Sequence, residues 1–330
     1  MNEPRYLIHE GSDLPEIPVA DGLSRPEALA GPEEAMDARV FITDDEGRSI
    51  GHAALWWSDA PPLEGHKPGT IGGFDSTDEA TAIQLLEVAT SYLRKLGCTL
   101  AIGPMNGNTW RRHRYVIGSS GRGPFLLEPR NPAPHPIWWH AAGFEELSRY
   151  SSSLMPLDGE AAVSPALKER LEKSGIVIRP LDASRYDDEL RTIHEISLKS
   201  FSNNFLYTPL EEDSFIASYR KVKDRVDPDF VRIAEKDGET CGFVFAIADL
   251  ESAARGEKPA LIVKTLAVDP SSRSAGLGSL LVDEVHRLGR EKGFTEAIHA
   301  LQHETNTSLK ITGRHHGEAF RRYALFSKPL

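Results

Sequence analysis

The chain has 330 residues and carries 38 Lys and Arg against 49 Asp and Glu, a net charge of −11. At roughly 150 residues per domain that length points to two domains, and 40% hydrophobic with 26% charged residues is enough for a core and excludes the composition of a disordered chain. No run reaches the ~18 apolar residues of a membrane helix, Met1 to Pro18 lacks a basic flank and an apolar stretch, and Cys98 and Cys241 are too few for a disulfide framework or a zinc knuckle. The expectation is a cytoplasmic chain with no membrane partner, and the acidic balance argues against nucleic acid, whose non-specific binding depends on basic patches.

Residues 1 to about 35 are rich in Pro, Glu and Gly without a clear period, and either cross over to another part of the molecule or stay irregular. From Val40 the pattern sharpens. Val40 to Thr43, a turn at Asp45-Glu46-Gly47, and Arg48 to Trp57 read as a β-hairpin with glycine supplying positive φ. A short strand at Ile71 to Phe74 precedes a helix over about Asp78 to Leu96, whose Leu85, Leu86, Ala89 and Leu93 form one apolar stripe and which ends at Gly97. Thr99 to Ile102 is the next strand.

The second half repeats this order. Val231 to Ala234, Asp237-Gly238, and Glu239 to Ile247 form another hairpin, followed by a strand at Ala260 to Val268, a helix over about Leu277 to Lys292 that stops at Gly293, and a strand at Thr295 to Leu301. Between the repeats, Pro156 to Gly175 reads as a linker with a short helix capped by Ser164 and started by Pro165. Ile176 to Leu181 opens the second unit as a strand, with helices following over about Tyr186 to Lys199 and Leu210 to Lys223. The expected division is residues 1–155, a linker at 156–175, and 176–330.

The loop that separates the repeats in chemistry runs from Leu266 to Leu281, where Arg273-Ser274-Ala275-Gly276-Leu277-Gly278-Ser279 joins a strand to an amphipathic helix. Glycines that expose backbone N–H groups at a helix N-terminus form a pyrophosphate site. A P-loop needs a lysine after its second glycine, and Ser279 stands there. A dinucleotide fingerprint needs a small residue where Leu281 stands, and a tighter turn.

With Val268-Asp269-Pro270 before this loop and Asn306 after the next strand, the second half resembles the GNAT (Gcn5-related N-acetyltransferase) superfamily. The resemblance implies an α/β fold of two GNAT-like domains, each with a mixed, mostly antiparallel sheet flanked by helices, and acetyl-CoA as co-substrate without a metal. It implies that the backbone of Leu266, Ala267 and Val268 pairs with pantetheine, that Arg273, Ser274, Ala275, Gly276, Leu277, Gly278 and Ser279 wrap the pyrophosphate, and that Asn306 lies near the thiol. The first half resembles a degraded copy. Its hairpin, helix and Ile137 to Phe144 fit, but Phe74-Asp75-Ser76-Thr77-Asp78-Glu79 stands in place of the glycine loop, with carboxylates that oppose a pyrophosphate.

The family's usual strand glutamate is missing from Leu261-Ile262-Val263-Lys264-Thr265, and its usual tyrosine is missing from the helix after Asn306. His303 and Glu304 are the candidates for proton transfer. A metal shared by His299 and His303 is excluded by their ~13 Å separation along a strand, and His315-His316 read as surface residues. Asn106, Trp110, Arg114 and Tyr115, in a long first-half loop, either contribute to a substrate pocket or form a domain interface. The sequence therefore reads as an acetyl-CoA-dependent N-acetyltransferase acting on a small-molecule or peptide amine, with oligomerisation possible. The alternatives are a non-catalytic acyl-CoA binding or sensing protein, and a transferase using another acyl donor.

Overall fold

Strands broken by positive-φ glycines join into one sheet that runs across both halves. The computed structural model describes residues 5–11, 13, 15–26, 36–159, 162–272 and 274–330. The first half comprises β1 (Arg5–Glu10), β2 (Ala38–Thr43), β3 (Ser49–Trp56), β4 (Pro68–Ser76), α1 (Glu79–Lys95), β5 (Leu100–Gly103), β6 (Tyr115–Ser119), α2 (His135–Ala141) and β7 (Glu145–Pro156). The second comprises α3 (Pro165–Lys173), β8 (Ile176–Pro180), α4 (Tyr186–Phe201), α5 (Glu212–Arg220), β9 (Val231–Lys236), β10 (Glu239–Ala248), α6 (Leu250–Ala254), β11 (Ala260–Val268), α7 (Leu277–Glu291), β12 (Glu296–His303), α8 (Ser308–Arg314) and β13 (Glu318–Pro329). No helix of the described residues is long and apolar enough to cross a membrane.

Local chemistry explains the main elements. The Asp78 carboxylate caps α1 by accepting from Thr81 N–H at 2.9 Å, and Gly97 ends it at φ +79°. Ser164 caps α3 with Pro165 behind it, as its sequence predicts. The early segment without a period holds β1, which pairs antiparallel with β2 from Arg5↔Thr43 to Glu10↔Ala38. Its half-exposed edge position gives no clean hydrophobic alternation. Residues 27–35 of that segment lie outside the described residues.

The sheet order is β1-β2-β3-β4-β5-β13-β7-β12-β11-β10-β9-β8, with β6 also pairing β13. The two parallel pairs, β4 with β5 and β11 with β12, occupy equivalent places in the repeats. At the centre the strands interlock. β13, last in the chain, pairs β5 of the first half, whereas β7 of the first half pairs β12 of the second. β7 and β13 pair with each other from Glu318↔Leu154 to Ser327↔Glu145. A cut at residue 155 therefore separates the repeats in sequence while each sheet keeps a strand of the other.

Three cores flank this sheet. Leu85, Leu86 and Leu93 of α1 pack on Val40, Leu55 and Ile71. Leu277, Leu281 and Val285 of α7 pack on Val244, Leu261 and Val263. Leu190 and Ile193 of α4 pack on Ile233, Phe243 and Ile262, on the opposite face.

In the first half, Trp139 of α2 lies so close over β5 that a Cβ on Gly103 would come within 2.3 Å of its ring and 2.5 Å of the Ile71 carbonyl oxygen. Gly103→Ala is expected to cost at least the ~1–3 kcal/mol of core overpacking and to lower the thermal midpoint by several degrees. Gly118→Ala, whose Cβ meets nothing nearer than 3.8 Å, should leave the midpoint nearly unchanged by circular dichroism.

Candidate active site

Parallel pairing of β11 with β12 begins at Ala260↔Glu296 and stops at Val263↔His299, although both strands continue. Each carries an extra residue at the parting. Phe245 pairs Thr265 and Ala246 pairs Val263, so Lys264 is the unpaired residue of a bulge. On β12, His299 pairs Ser153 and Gln302 pairs Ser151, and Leu301 takes φ +58°. The divergence opens a cleft of about 130 Å³ between Val263–Leu266 and His299–Gln302, with Phe201 on one side and Asn306, Ser308 and Ile311 on the other.

The first half holds the parting in place. The Leu301 N–H donates to Ser152 Oγ at 3.0 Å, and the Leu301 carbonyl accepts from Arg114 Nη1 at 3.3 Å. Ser152 Oγ lies 3.0 Å from Tyr323 Oη, which donates to Glu128 Oε1 at 2.5 Å. Because the Tyr323 proton is committed to Glu128, Ser152 donates to the phenol and accepts from Leu301. Arg321 Nε closes the chain at 2.7 Å from the Glu128 carboxylate.

At the other end of β11 the chain makes a wide turn. Asp269 Oδ1 accepts from Ser271 N–H at 2.7 Å, and Leu277 N–H donates to the Ser274 carbonyl at 3.0 Å. Gly276 takes φ +93° at the start of α7, where a Cβ would lie 2.8 Å from Leu167. The first turn of α7 has no acidic residue, so its free N–H groups and dipole present positive charge to the loop. Two arginines that sequence reading missed support this end: Arg170 Nη2 donates to the Ala275 carbonyl at 2.7 Å, and Arg314 Nη1 to Ser279 Oγ at 2.8 Å. Both come from segments far from the loop in sequence. Arg273 lies outside the described residues.

The other sequence-named residues fall in different places. Leu266 and Asn306 line the cleft, and Asn306 Oδ1 accepts from Ser308 N–H at 2.9 Å to start α8. His303 sits just past the cleft with both ring nitrogens engaged. Nδ1 accepts from Thr305 N–H at 3.2 Å, Nε2 lies 2.8 Å from Ser148 Oγ, and the ring packs on Tyr150 and Phe205. Glu304 is exposed and accepts from Arg149 N–H. Of the first-half set, Arg114 reaches the cleft wall. Trp110 instead donates from Nε1 to the Thr208 carbonyl at 2.6 Å and packs on Phe215, which docks the loop onto the second half. Tyr115 is buried among His135, Trp139 and Phe326.

Asn106 fills the first-half counterpart of the cleft. Parallel pairing of β4 and β5 ends at Thr70↔Ile102, but Asn106 Oδ1 then accepts from Gly73 N–H at 3.0 Å and Met105 N–H donates to the Ile71 carbonyl at 2.8 Å. A Cβ on Gly72 would lie 2.2 Å from Asn106 Oδ1. Asp75 sits nearby. Burial pushes its carboxyl up, but hydrogen bonds involving His135, Ser24 and Ser76 outweigh this and hold it far below the usual carboxylate range.

Behind the open cleft lies a row of histidines. His299 Nδ1 is 2.8 Å from Thr312 Oγ1, whose proton goes to Gln302 Oε1, so His299 donates from Nδ1 and its Nε2 accepts from His286 Nε2 at 3.1 Å. His315, expected at the surface, turns inward instead. Its ring packs 4.5 Å from that of His286, and Nε2 stands 3.2 Å from Asp283, while His316 stays exposed. Burial, then the neighbouring His315, lowers His299 to about 3, and burial with His299 and His315 lowers His286 well below its ordinary value. Among the described residues no cluster of three or more His, Cys, Asp or Glu is arranged to hold a metal ion.

Residues 190–310 match the model of the acetyltransferase (GNAT) family. The chain is 28% identical over 232 residues to a protein named bacterial ceramide synthase from Caulobacter vibrioides, a match covering 65% of this chain and 59% of that protein. It is 24% identical over 196 residues to protein YghO of Escherichia coli, covering 57% and 49%. The chain thus spans about half to three fifths of the length of these relatives. Among solved structures, a GCN5-related N-acetyltransferase from Sphaerobacter thermophilus superposes with a TM-score of 0.53 at 13% identity, covering 88% of this chain and 80% of that one. A tandem GNAT protein from the clavulanic acid biosynthesis pathway does so at 0.53 and 15%, covering 95% and 90%. At these identities the likeness is one of fold.

The His286–His299 contact holds one proton, so protonating the pair places two N–H groups against each other. Both groups titrate lower in the folded chain than their ordinary value of 6.5. Below about pH 6.5 the unfolded chain therefore binds protons that the folded chain does not, and stability falls as pH drops toward 3. Thermal midpoints between pH 7.5 and 4.5 should decline for the wild type and less steeply for His299→Gln. Equal slopes would remove the pair as the cause.

Proposed function

The chain belongs to the GNAT superfamily through residues 190–310, and on that premise we propose that it moves an acyl group from coenzyme A to an amine. The observation that carries this reading is the cleft between the diverging β11 and β12, whose lining residues Leu266 and Ile311 also flank Gly278 in the first turn of α7. The backbone of Leu266, Ala267 and Val268, paired with β10 but no longer with β12, would run along pantetheine. The 274–279 loop, Arg273, Arg170 and Arg314 would face the pyrophosphate, and Asn306 would lie near the thiol. The amine nitrogen attacks the thioester carbon, the C–S bond breaks, and the thiolate leaves as the amine gives up a proton. His303 could take that proton only by giving up its bond from Thr305 or turning its ring.

The first half is proposed as a positioning scaffold with no CoA site of its own. Asn106 and the close approach of Met105 fill its opening, and Asp75, Asp78 and Glu79 put carboxylates where a pyrophosphate would lie.

Acetyl-CoA is the simplest donor. A longer acyl chain is the second reading, since the Caulobacter relative is named for a ceramide, whose amide carries a fatty acyl chain. A ceramide being an amide, the name of the Caulobacter relative agrees with acyl transfer to nitrogen. A binding protein without turnover is the remaining alternative.

Calorimetric titration with CoA should give one site per chain. Gly278→Asp has room, since the nearest atom to a Cβ there is at 3.4 Å. It should fold normally yet weaken CoA at least ~10-fold through a carboxylate in the first turn of α7. Thiol release from acyl-CoA of two to sixteen carbons with a panel of amines then reads the donor. Binding without release on any acceptor would leave the sensing alternative.

A further inference from the structure

We propose that Lys264 and Arg114 form a cationic subsite on the acceptor side of the cleft, and that the amine acceptor carries an anionic group, carboxylate or phosphate, beside its amine. The inference rests on the acyltransferase reading above and adds the chemical class of the acceptor.

The bulge on β11 aims Lys264. Val263 and Leu266 both pack into the core beneath α7, so the two residues between them, Lys264 and Thr265, share the opposite face, where Ile262 and Ala267 meet the α4 core. Lys264 lines the cleft there beside Phe201. The α7 loop, the proposed pyrophosphate end, lies on the other face, so Lys264 stands where an acceptor would meet the thioester.

Arg114 comes from the first half and presses its guanidinium 4.1 Å above the Tyr150 ring while donating to the Leu301 carbonyl. Its Nε is buried without a partner. The charge acting on Lys264 is that of Arg114, and the groups acting on Arg114 are the Tyr150 and Tyr323 phenols. Among the described residues neither cation forms an ion pair with a carboxylate. Burial and then Arg114 lower the Lys264 ammonium to about 8, so most of it stays charged at neutral pH. Two like charges withdrawn from water without a counter-ion are costly, and an anionic ligand group offsets both.

The test uses the full chain and matched amines: ethanolamine, serine and O-phosphoethanolamine, together with phenethylamine and phenylalanine. Thiol release should favour the anionic member of a set at least ~10-fold in kcat/KM, with serine against O-phosphoethanolamine separating carboxylate from phosphate. Lys264→Met should abolish that preference. The loss should appear as a rise in KM for the anionic amine relative to its neutral counterpart, and Lys264→Arg should restore part of the preference. Independently of turnover, N-acetylserine should bind more tightly than N-acetylethanolamine by calorimetry, with or without CoA, and lose that advantage in Lys264→Met. Equal handling of neutral and anionic partners overturns the proposal. So does a Lys264→Met loss of kcat shared by all amines, which would make Lys264 a proton carrier. Failure of CoA itself to bind defeats the acyltransferase reading and leaves the acetylated probes to decide on the subsite.

Discussion

At the cleft, the two halves of the molecule meet chemically on the backbone of Leu301. Its N–H and its carbonyl, freed when β12 leaves β11, are both taken up by the first half, through Ser152 and Arg114. Orphaned buried peptide groups are costly, so the parting of the strands persists only because another element satisfies them. Ser152 comes from β7, which lies beside β12 through its exchange with β13, and Arg114 from the loop just before β6. A first half without the glycine loop thus remains necessary to the shape of the second.

The same interlock explains a contrast between the repeats. Both have parallel strands that separate after a few pairs. In one, a bulge on each strand and the bonds of Ser152 and Arg114 to Leu301 hold the gap open. In the other, Asn106 and the backbone of Met105 close it, and Gly72 and Gly103 admit their neighbours only because they have no side chain. The electrostatics diverge in step. Arg170 and Arg314 gather at the open end of α7, while α1 begins with Asp78 and Glu79.

Much of this was legible in sequence. The hairpins, α1, α7 and the glycines at 97 and 293 follow from periodicity and turn chemistry, and β11 spans the predicted residues. The cleft-facing positions of Leu266 and Asn306 follow from motif order. What stayed hidden depends on partners distant in the chain. No local pattern shows that β7 and β13 change places, since strand pairing is set by tertiary packing. Lys264 read only as a missing glutamate, because a bulge is invisible until its neighbour's register is known. His315 read as a surface residue of a glycine-flanked turn, yet its ring finds Asp283 and His286. Trp110 left pocket and interface open, and its bond to Thr208 shows that it joins the halves.

The exchange of strands also orders events during synthesis. A ribosome releases the first half long before Glu318–Pro329, and until that strand emerges β5 and β7 have an unfilled seat between them. The nascent sheet must wait with exposed edges, a condition that invites pairing with other chains. β5, of four residues, presents little continuous edge during that interval, whereas β7, of twelve, presents a long one.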